Sequence, residues 1–369
     1  MLPRVEIVDA QARVVVEGRP RFEPLELLGE GGHGEVTGVR DNDIGRRVAL
    51  KRLRAAVRSP GAALRFAEEV RTVGQLEHPN IVPIHDVGVD ENGDYYFVMK
   101  YVDGETLEAI IEKLAAGDAR YHARYSFERR VQIFGALLDA VAFAHEKGIV
   151  HRDIKPANVM IGAYGEVVLM DWGIAKQKAG ERDAAAGERA TTGSSRRGTL
   201  FETRVGDIVG TPAYMSPEQA SSGPVDERSD VYALSLLFHE LLCLRHPLDG
   251  KSTLEQMLHG VVHEPVPNPT FVSSPHQPAT PAELGWFVKK GVEKEPAKRY
   301  QSVAEMRDRL ARRAEGSFPI QCPITFAKTV LGVVRRFVDR HPLLTTLGVV
   351  GSVLSVIAAV VFVAIRAFS

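Results

Sequence analysis

Cysteine is nearly absent from this chain of 369 residues: only Cys243 and Cys322 occur, and they form no C-x-x-C pair. That excludes a disulfide framework and a cysteine-bound zinc site, and it suits a reducing compartment. An excess of one charge is missing too. Lys and Arg total 46 against 47 Asp and Glu, a formal net of -1, so the surface as a whole is not built for nucleic acid and none is expected as a partner. The 12 histidines supply no HExxH motif, because His239-Glu240 lacks a second histidine at the required step; scattered structural histidines are expected instead. The opening residues, Met1-Leu2-Pro3-Arg4, hold no apolar signal core, so nothing there is expected to carry the main body across a membrane. No internal repeat is evident.

What remains has ordinary globular texture. Apolar residues make up 44% and charged residues 25%, which excludes wholesale disorder and permits a sizeable core. The length suits two lobes with an appendage. Within 22–50 and 81–102, the runs Val48-Ala49-Leu50, Ile81-Val82-Pro83-Ile84 and Tyr95-Tyr96-Phe97-Val98-Met99 read as short strands, and Asn92-Gly93 is a hairpin dipeptide. Helical spacing marks 60–76, 127–147 and 230–244. A strand-rich first part with one helix, followed by a helical part, predicts an α+β architecture in two lobes. Residues 179–204 are dominated by small and charged side chains without apolar period, and a mobile surface loop is expected there.

The run from Leu343 to Ile365 has another character: 23 consecutive residues carry no charge. As a helix it would measure about 34 Å, enough to cross a hydrocarbon layer of about 30 Å. A buried core helix would show a polar stripe, and this run has only scattered Thr and Ser, so one transmembrane helix in the lipid bilayer is expected. The flank before it carries Lys328, Arg335, Arg336 and Arg340 against Asp339, and the flank after it only Arg366. That bias puts the N-terminal side in the cytoplasm, at a cell (inner or plasma) membrane. Phe326, Val330, Val333, Val334 and Phe337 recur at helical steps with basic residues on other faces. They predict a basic amphipathic helix on headgroups; a plain basic linker is the alternative, because Gly332 weakens a helix. Small residues four apart, Gly348/Ser352 and Gly351/Ser355/Ala359, would let two copies pack.

The chemistry-bearing residues begin at Gly29-Glu30-Gly31-Gly32-His33-Gly34-Glu35-Val36, which fits G-x-G-x-x-G-x-V. A dinucleotide-binding turn shares part of this pattern but opens a helix. Here Val36 to Arg40 lead to a turn at Asp41-Asn42-Asp43 and another strand, giving a strand–loop–strand flap whose backbone N–H groups can approach phosphates closely. Fifteen residues beyond Val36, Lys51 ends the apolar strand Val48-Ala49-Leu50. An ammonium there needs an anion; behind a glycine loop, a phosphate is the better partner, though a snorkelling lysine is the simpler reading of the residue alone. Further on come His151-Arg152-Asp153-Ile154-Lys155-Pro156-Ala157-Asn158, then Asp171-Trp172-Gly173, then Ser216-Pro217-Glu218.

Five such motifs in this order resemble the eukaryotic-type (Hanks-type) Ser/Thr protein kinases, and the Met-Asp-Trp-Gly-Ile-Ala-Lys run resembles bacterial membrane-anchored members. The resemblance covers roughly Phe22 to Arg313. It implies a bilobal α+β fold, with a strand-rich N-lobe containing one main helix and a helical C-lobe, followed here by the C-terminal transmembrane helix. It also implies ATP with Mg²⁺ (Mn²⁺ as an alternative), and proteins bearing Ser or Thr as substrates. Lys51 would hold phosphates and pair with Glu69. Asp171 and Asn158 would hold the metal, Asp153 would orient and deprotonate the acceptor hydroxyl, and Lys155 would face the transferring phosphate. The nucleotide would lie among Gly29, Glu30, Gly31, Gly32, His33, Gly34, Val36, Ala49, Met99, Tyr101, Val102 and Met160, with Met99 as gatekeeper. Lys155 and Thr211 mark the Ser/Thr branch. Arg152 beside Asp153 implies control by phosphorylation, with Thr203 and Thr199 leading the candidates Thr191, Thr192, Ser194 and Ser195. Glu218 would pair with Arg299, and Asp230 would brace the catalytic loop.

The sequence departs from the family pattern at Trp172 in place of Phe, Ser216 in place of Ala, His33 at the glycine-loop tip and Lys100 in the hinge. None of these removes a reacting group. The expected partition is an extension over 1–21, a kinase domain over 22–313 (N-lobe 22–102, C-lobe 103–313, activation segment 171–218), a basic juxtamembrane segment over 314–342, the membrane helix over 343–365 and a tail over 366–369. A homodimer that phosphorylates itself in trans is a further expectation. The alternatives are a pseudokinase scaffold, disfavoured because Lys51, Asp153, Asn158 and Asp171 are all present, and a small-molecule phosphotransferase.

Overall fold

A computed structural model of the chain describes residues 4–9, 11–15, 20–31, 34–53, 70–71, 73–91, 93–172, 212–315 and 319–367. Two compact units result, Met1–Arg307 and Asp308–Ser369. The first begins with a hairpin of β1 (Arg4–Val8) and β2 (Gln11–Val15). There follow β3 (Phe22–Gly31), β4 (Gly34–Asp41), β5 (Arg46–Leu53), β6 (Ile84–Val89) and β7 (Tyr95–Lys100). These five make one antiparallel sheet in the order β3-β4-β5-β7-β6. Its two faces carry different apolar sets. Val39, Val48, Leu50 and Val98 pack with Phe22 and Tyr96 on one side, and Ala49, Phe97 and Met99 pack with Val70 and Val82 on the other, as the period of two along a strand requires.

The run Ile81-Val82-Pro83-Ile84 is not all strand. Pro83 has no N–H to give a ladder, and β6 starts only at Ile84. Upstream of the proline the chain turns to a different partner: Ile81 bridges Leu169, the Val82 N–H donates to the Leu169 carbonyl at 3.0 Å, and the Asn80 side chain donates to the Val167 carbonyl at 2.8 Å. Gly93, with φ +80°, makes the β6–β7 turn, the left-handed conformation for which glycine has no steric cost.

Beyond β7 the chain is mainly helical. β8 (Gly104–Thr106) joins β9 (Val159–Gly162) and β10 (Val167–Leu169) in a small sheet. The helices are α1 (Leu107–Ala115), α2 (Ala119–Arg124), α3 (Phe127–Glu146), α4 (Pro217–Ala220), α5 (Glu227–Cys243), α6 (Leu254–His263), α7 (Ala282–Gly291) and α8 (Val303–Ala314). Side-chain oxygens cap the starts of α1, α3 and α5, from Thr106, Ser126 and Asp226 respectively. The core is aromatic where α3, α5 and α7 meet: the Phe134 and Phe238 rings stack with centroids 4.0 Å apart, and Phe287 meets Phe134 edge-on at 6.0 Å. Gly291 is obligatory there, since a Cβ would fall 1.9 Å from Ser235 Oγ on α5.

In the second unit, α9 (Pro323–Arg340) and α10 (Pro342–Ala367) follow with only His341 between them. Gly332 does not break α9. The stretch Pro342–Ala359 of α10 is long and apolar enough to cross a membrane, and none of it is buried.

Candidate active site

The loop bearing Asp153 is shaped by a helix end and a buried carboxylate. α3 stops at Glu146, and Gly148 (φ +74°) reverses the chain, closing bonds from its own N–H to His145 and from Ile149 to Ala144. Asp230, in the first turn of α5, is fully buried. A carboxylate there must be well supplied with donors: the backbone N–H groups of His151 and Arg152 each donate to it at 2.8 Å, and His145 Nε2 lies 2.8 Å away. Arg152 is held at φ +68°, and its carbonyl accepts from the Gln219 side chain at 3.0 Å. With its backbone clamped from two sides, the loop presents three polar groups together. Lys155 Nζ lies 3.2 Å from Asp153 Oδ2. Asn158 Nδ2 donates to the Asp153 carbonyl at 2.8 Å and to its carboxylate at 3.2 Å.

Asp171 reaches this place from β10. The Met170 N–H donates to the Asn158 carbonyl at 2.8 Å, and Asp171 itself sits at φ +55°. Left-handed backbone at two non-glycine residues, Arg152 and Asp171, is the local strain that functional sites hold. Lys51, 120 residues away in sequence on the middle strand β5, donates to Asp171 Oδ1 at 2.6 Å. Beside them, the buried Trp172 ring packs on His151 with centroids 4.6 Å apart. Burial holds His151 below its ordinary pKa. The neutral ring fits its contacts: Nδ1 accepts from the Asp153 N–H at 3.3 Å while Nε2 lies 3.2 Å from the Met170 carbonyl.

Above the polar groups lies a single apolar cluster. Ala49, Met99 and Val102 are buried in it, and Val36, Met160 and Met170 pack against them. Strand register brings it about, since Ala49 pairs with Met99 and Lys51 with Phe97. Tyr101 lies outside the cluster, its ring 3.9 Å beneath the Arg47 guanidinium. Gly29, Glu30, Gly31 and Gly34 form the closing end of the β3–β4 hairpin, with Gly31 opposite Gly34. Gly32, His33, Glu69, Thr191, Thr192, Ser194, Ser195, Thr199, Thr203 and Thr211 lie outside the described residues.

Glu218 and Arg299 meet as a buried pair. The guanidinium donates to both carboxylate oxygens at 2.7 and 2.8 Å, and also to the carbonyls of Arg228, Glu293 and Lys294. Burial alone would push Glu218 up, but the bonds from Arg299 and Ser229 outweigh it and hold the carboxyl below its usual range. Ser216 caps α4 through a reciprocal capping box with Gln219.

Sequence reasoning missed two contacts here. One is Gln219 to Arg152. The other is the Tyr214 hydroxyl donating to Glu240, an acid that the sequence offers only beside His239 in an incomplete metal motif. A signal existed: Glu240 is an acid amid the apolar run of α5. Burial, aided by Glu108 and Asp249 and opposed by the Tyr214 bond, pushes its carboxyl up to about 7. The folded state therefore takes up a proton between the ordinary value of 4.5 and about 7, so the stability this group contributes is fully present below 4.5 and falls as pH rises through that window. Glu240→Gln keeps an acceptor for Tyr214 and removes the titration. Near pH 5 the variant should melt close to wild type, and near pH 8 it should be the more stable by about 2–3 kcal/mol. A gap in melting temperature that does not open with pH would refute the assignment.

A lysine–carboxylate pair whose lysine strand adjoins a hairpin of glycines, joined through Met170 to an Asp-Lys-Asn loop, defines a class. The chain belongs to the protein kinase family: the protein kinase domain matches residues 22–309. Within it, the chain is similar to bacterial Ser/Thr kinases. It is 40% identical over 303 residues to serine/threonine-protein kinase PknB of Mycolicibacterium smegmatis, covering 81% of this chain and 44% of that protein. Against PknB of Mycobacterium tuberculosis the identity is 36% over the same shares; against PknD of Protochlamydia amoebophila it is 33%, over 80% of this chain and 30% of that one. The chain thus spans less than half the length of these relatives. Among solved structures, the Mycobacterium tuberculosis PknI kinase domain shares the fold, with a TM-score of 0.54 at 24% identity over 80% of this chain and 96% of that one.

Proposed function

We propose that this chain is a membrane-anchored Ser/Thr protein kinase that moves the γ-phosphoryl group of ATP to protein hydroxyls, its own included. One observation carries the reading: Asp153, Lys155 and Asn158 are interlocked on one loop while Lys51 is drawn to Asp171 from the opposite lobe. Phosphoryl transfer asks for positioning and charge neutralisation more than for covalent chemistry. Asp153 orients the acceptor hydroxyl and takes its proton. Lys155 faces the transferring phosphoryl group, and Lys51 steadies the α- and β-phosphates, joined by Glu69. Val36, Ala49, Met99, Val102 and Met160 supply the apolar walls for adenine, beside the hinge at Tyr101.

The donor set suits Mg²⁺, which takes oxygen ligands and few protein groups. The Asn158 amide nitrogen is committed to Asp153, which leaves its oxygen, with the Asp171 carboxylate, to hold the ion. Held by those two residues, a metal would supply charge neutralisation for the phosphates. Arg152 adds a regulatory reading. Its buried Nε has no hydrogen-bond partner among the described residues, and a phosphate on Thr203 would give it one. α10 anchors the protein with the kinase domain in the cytoplasm.

Purified chain given labelled ATP, Mg²⁺ and a basic test protein should label both the substrate and itself. Mass spectrometry should find phosphate within 191–211, foremost on Thr203, and none there in an Asp153→Asn protein made without other kinases. Phosphate on Thr203 in that inactive form would sink self-modification as its source, and a wild-type protein that labels nothing would favour the scaffold.

A further inference from the structure

α9 is divided lengthwise. At about 100° per residue, Phe326, Val330, Val333, Val334 and Phe337 share one face. Val338, Leu331 and Ile324, also exposed, widen that face on one side; beyond it Lys328 and Arg335 lie along one border, Arg336 and Arg340 along the other. Asp339 is the one acid in the helix, and its carboxylate lies 3.9 Å from Arg335. A soluble helix of this pattern packs its apolar side and wets its polar side. Here both sides lie open. The five apolar residues expose 43–54% of their surface, and on the polar side Arg335 and Asp339 expose 86% and 68% of their side chains; Thr325 is buried at the helix start by its own bonds to the Cys322 carbonyl and to the N–H groups of Gln321 and Cys322. Arg336, also on the polar side, donates to the Glu315 carbonyl in the same unit. The apolar side is thus left as open as ordinary surface.

What covers the apolar side follows from charge and continuity. The His341 N–H bonds back to the Phe337 carbonyl at 2.9 Å, and the Thr345 N–H bonds to the His341 carbonyl at 3.1 Å, so no slack separates α9 from α10. A helix of about 27 Å joined in this way to a spanning helix stays at the boundary of water and lipid. Apolar side chains there sink among the upper acyl chains, while basic residues on both edges extend their stems along the apolar face and place their charges among phosphates.

We propose that α9 is an anionic-lipid-binding helix lying in the plane of the membrane surface, with Lys328, Arg335, Arg336 and Arg340 on the headgroups. The proposal rests on α10 spanning the bilayer, and its test separates the two.

Nitroxide labels are placed singly in the full chain, after replacing its two native cysteines, through Val334→Cys, Asp339→Cys and Val353→Cys. Retained kinase activity checks folding. In vesicles of phosphatidylcholine with about one-third phosphatidylglycerol, the 334 label should collide with oxygen far more than with a water-soluble nickel chelate, and the 339 label should do the reverse. Each basic residue near an anionic surface is worth about fivefold in partitioning. Arg335→Gln/Arg336→Gln/Arg340→Gln, or phosphatidylcholine alone, should therefore strip most of the protection at 334. A 334 label as open to the chelate as 339, with 353 in lipid, overturns the proposal alone. Protection at 334 that ignores headgroup charge, or that comes with spin–spin broadening between two chains, overturns it in favour of a neutral surface or a second copy. An aqueous 353 label overturns the spanning reading and this proposal with it.

Discussion

Asp153→Asn is expected to leave the protein folded and to lower phosphotransfer by about 10²–10⁴-fold, the range ascribed to a positioned general base. The substitution is nearly isosteric, and the backbone that shapes the loop is held by Asp230 and Gln219, not by the Asp153 carboxylate. On the proposed function, what disappears is the charge that would orient the hydroxyl and accept its proton, together with one partner of Lys155. Lys51→Met should cost a comparable factor by another route, because the phosphates lose a cation in a partly dehydrated place. Steady-state rates with a peptide substrate, set beside nucleotide binding and circular dichroism, separate chemistry from folding. Nucleotide affinity should fall far less than turnover in both proteins, since the apolar cluster and the glycine hairpin stay intact. Wild-type rates in both variants would falsify the site.

Arg299→Met is expected to be the most destabilising single change, at about 3–5 kcal/mol, because removing one member of a buried ion pair strands the other. Arg299 exposes none of its side chain and Glu218 only 11%, so water cannot replace the lost donors. Three carbonyls lose a partner at the same time. Glu218→Gln, which keeps an acceptor for the guanidinium, should cost less. Urea denaturation of the two variants decides the matter. A loss below about 1 kcal/mol for Arg299→Met would put the pair among ordinary surface bridges and contradict its burial.

Much of this was legible in the sequence, and the physical reason is locality. The strand Val48-Ala49-Leu50-Lys51, the β6–β7 hairpin and the helix over 127–147 each announce themselves by period, turn chemistry and caps within a window of a few residues. The catalytic-loop residues share one short stretch, so their meeting needs little chain to be placed correctly. Contacts across long stretches were legible only through the family resemblance, as for Glu218 with Arg299, or not at all. Tyr214 with Glu240 is of the second kind: the acid amid the apolar run of α5 hints at a buried Glu240, but only the fold shows that Tyr214 is buried with it. The run 81–84 misled for a related reason. Its apolar character promised a strand, and the choice between two partners on either side of Pro83 depends on where Leu169 lies.

That choice has a mechanical consequence. Residues 80–82 precede two strands of the N-lobe sheet in sequence, yet their hydrogen bonds run to Val167 and Leu169 of the small sheet. If the large sheet swings to admit or release a nucleotide, these residues stay with the helical lobe. The flexing points then fall on either side of them, at Pro83 and at Lys100–Tyr101, where the Lys100 N–H reaches the Pro83 carbonyl at 3.2 Å. Two parallel tethers pinned at one level behave as a door on two hinges: they permit a swing about a single axis and resist twist.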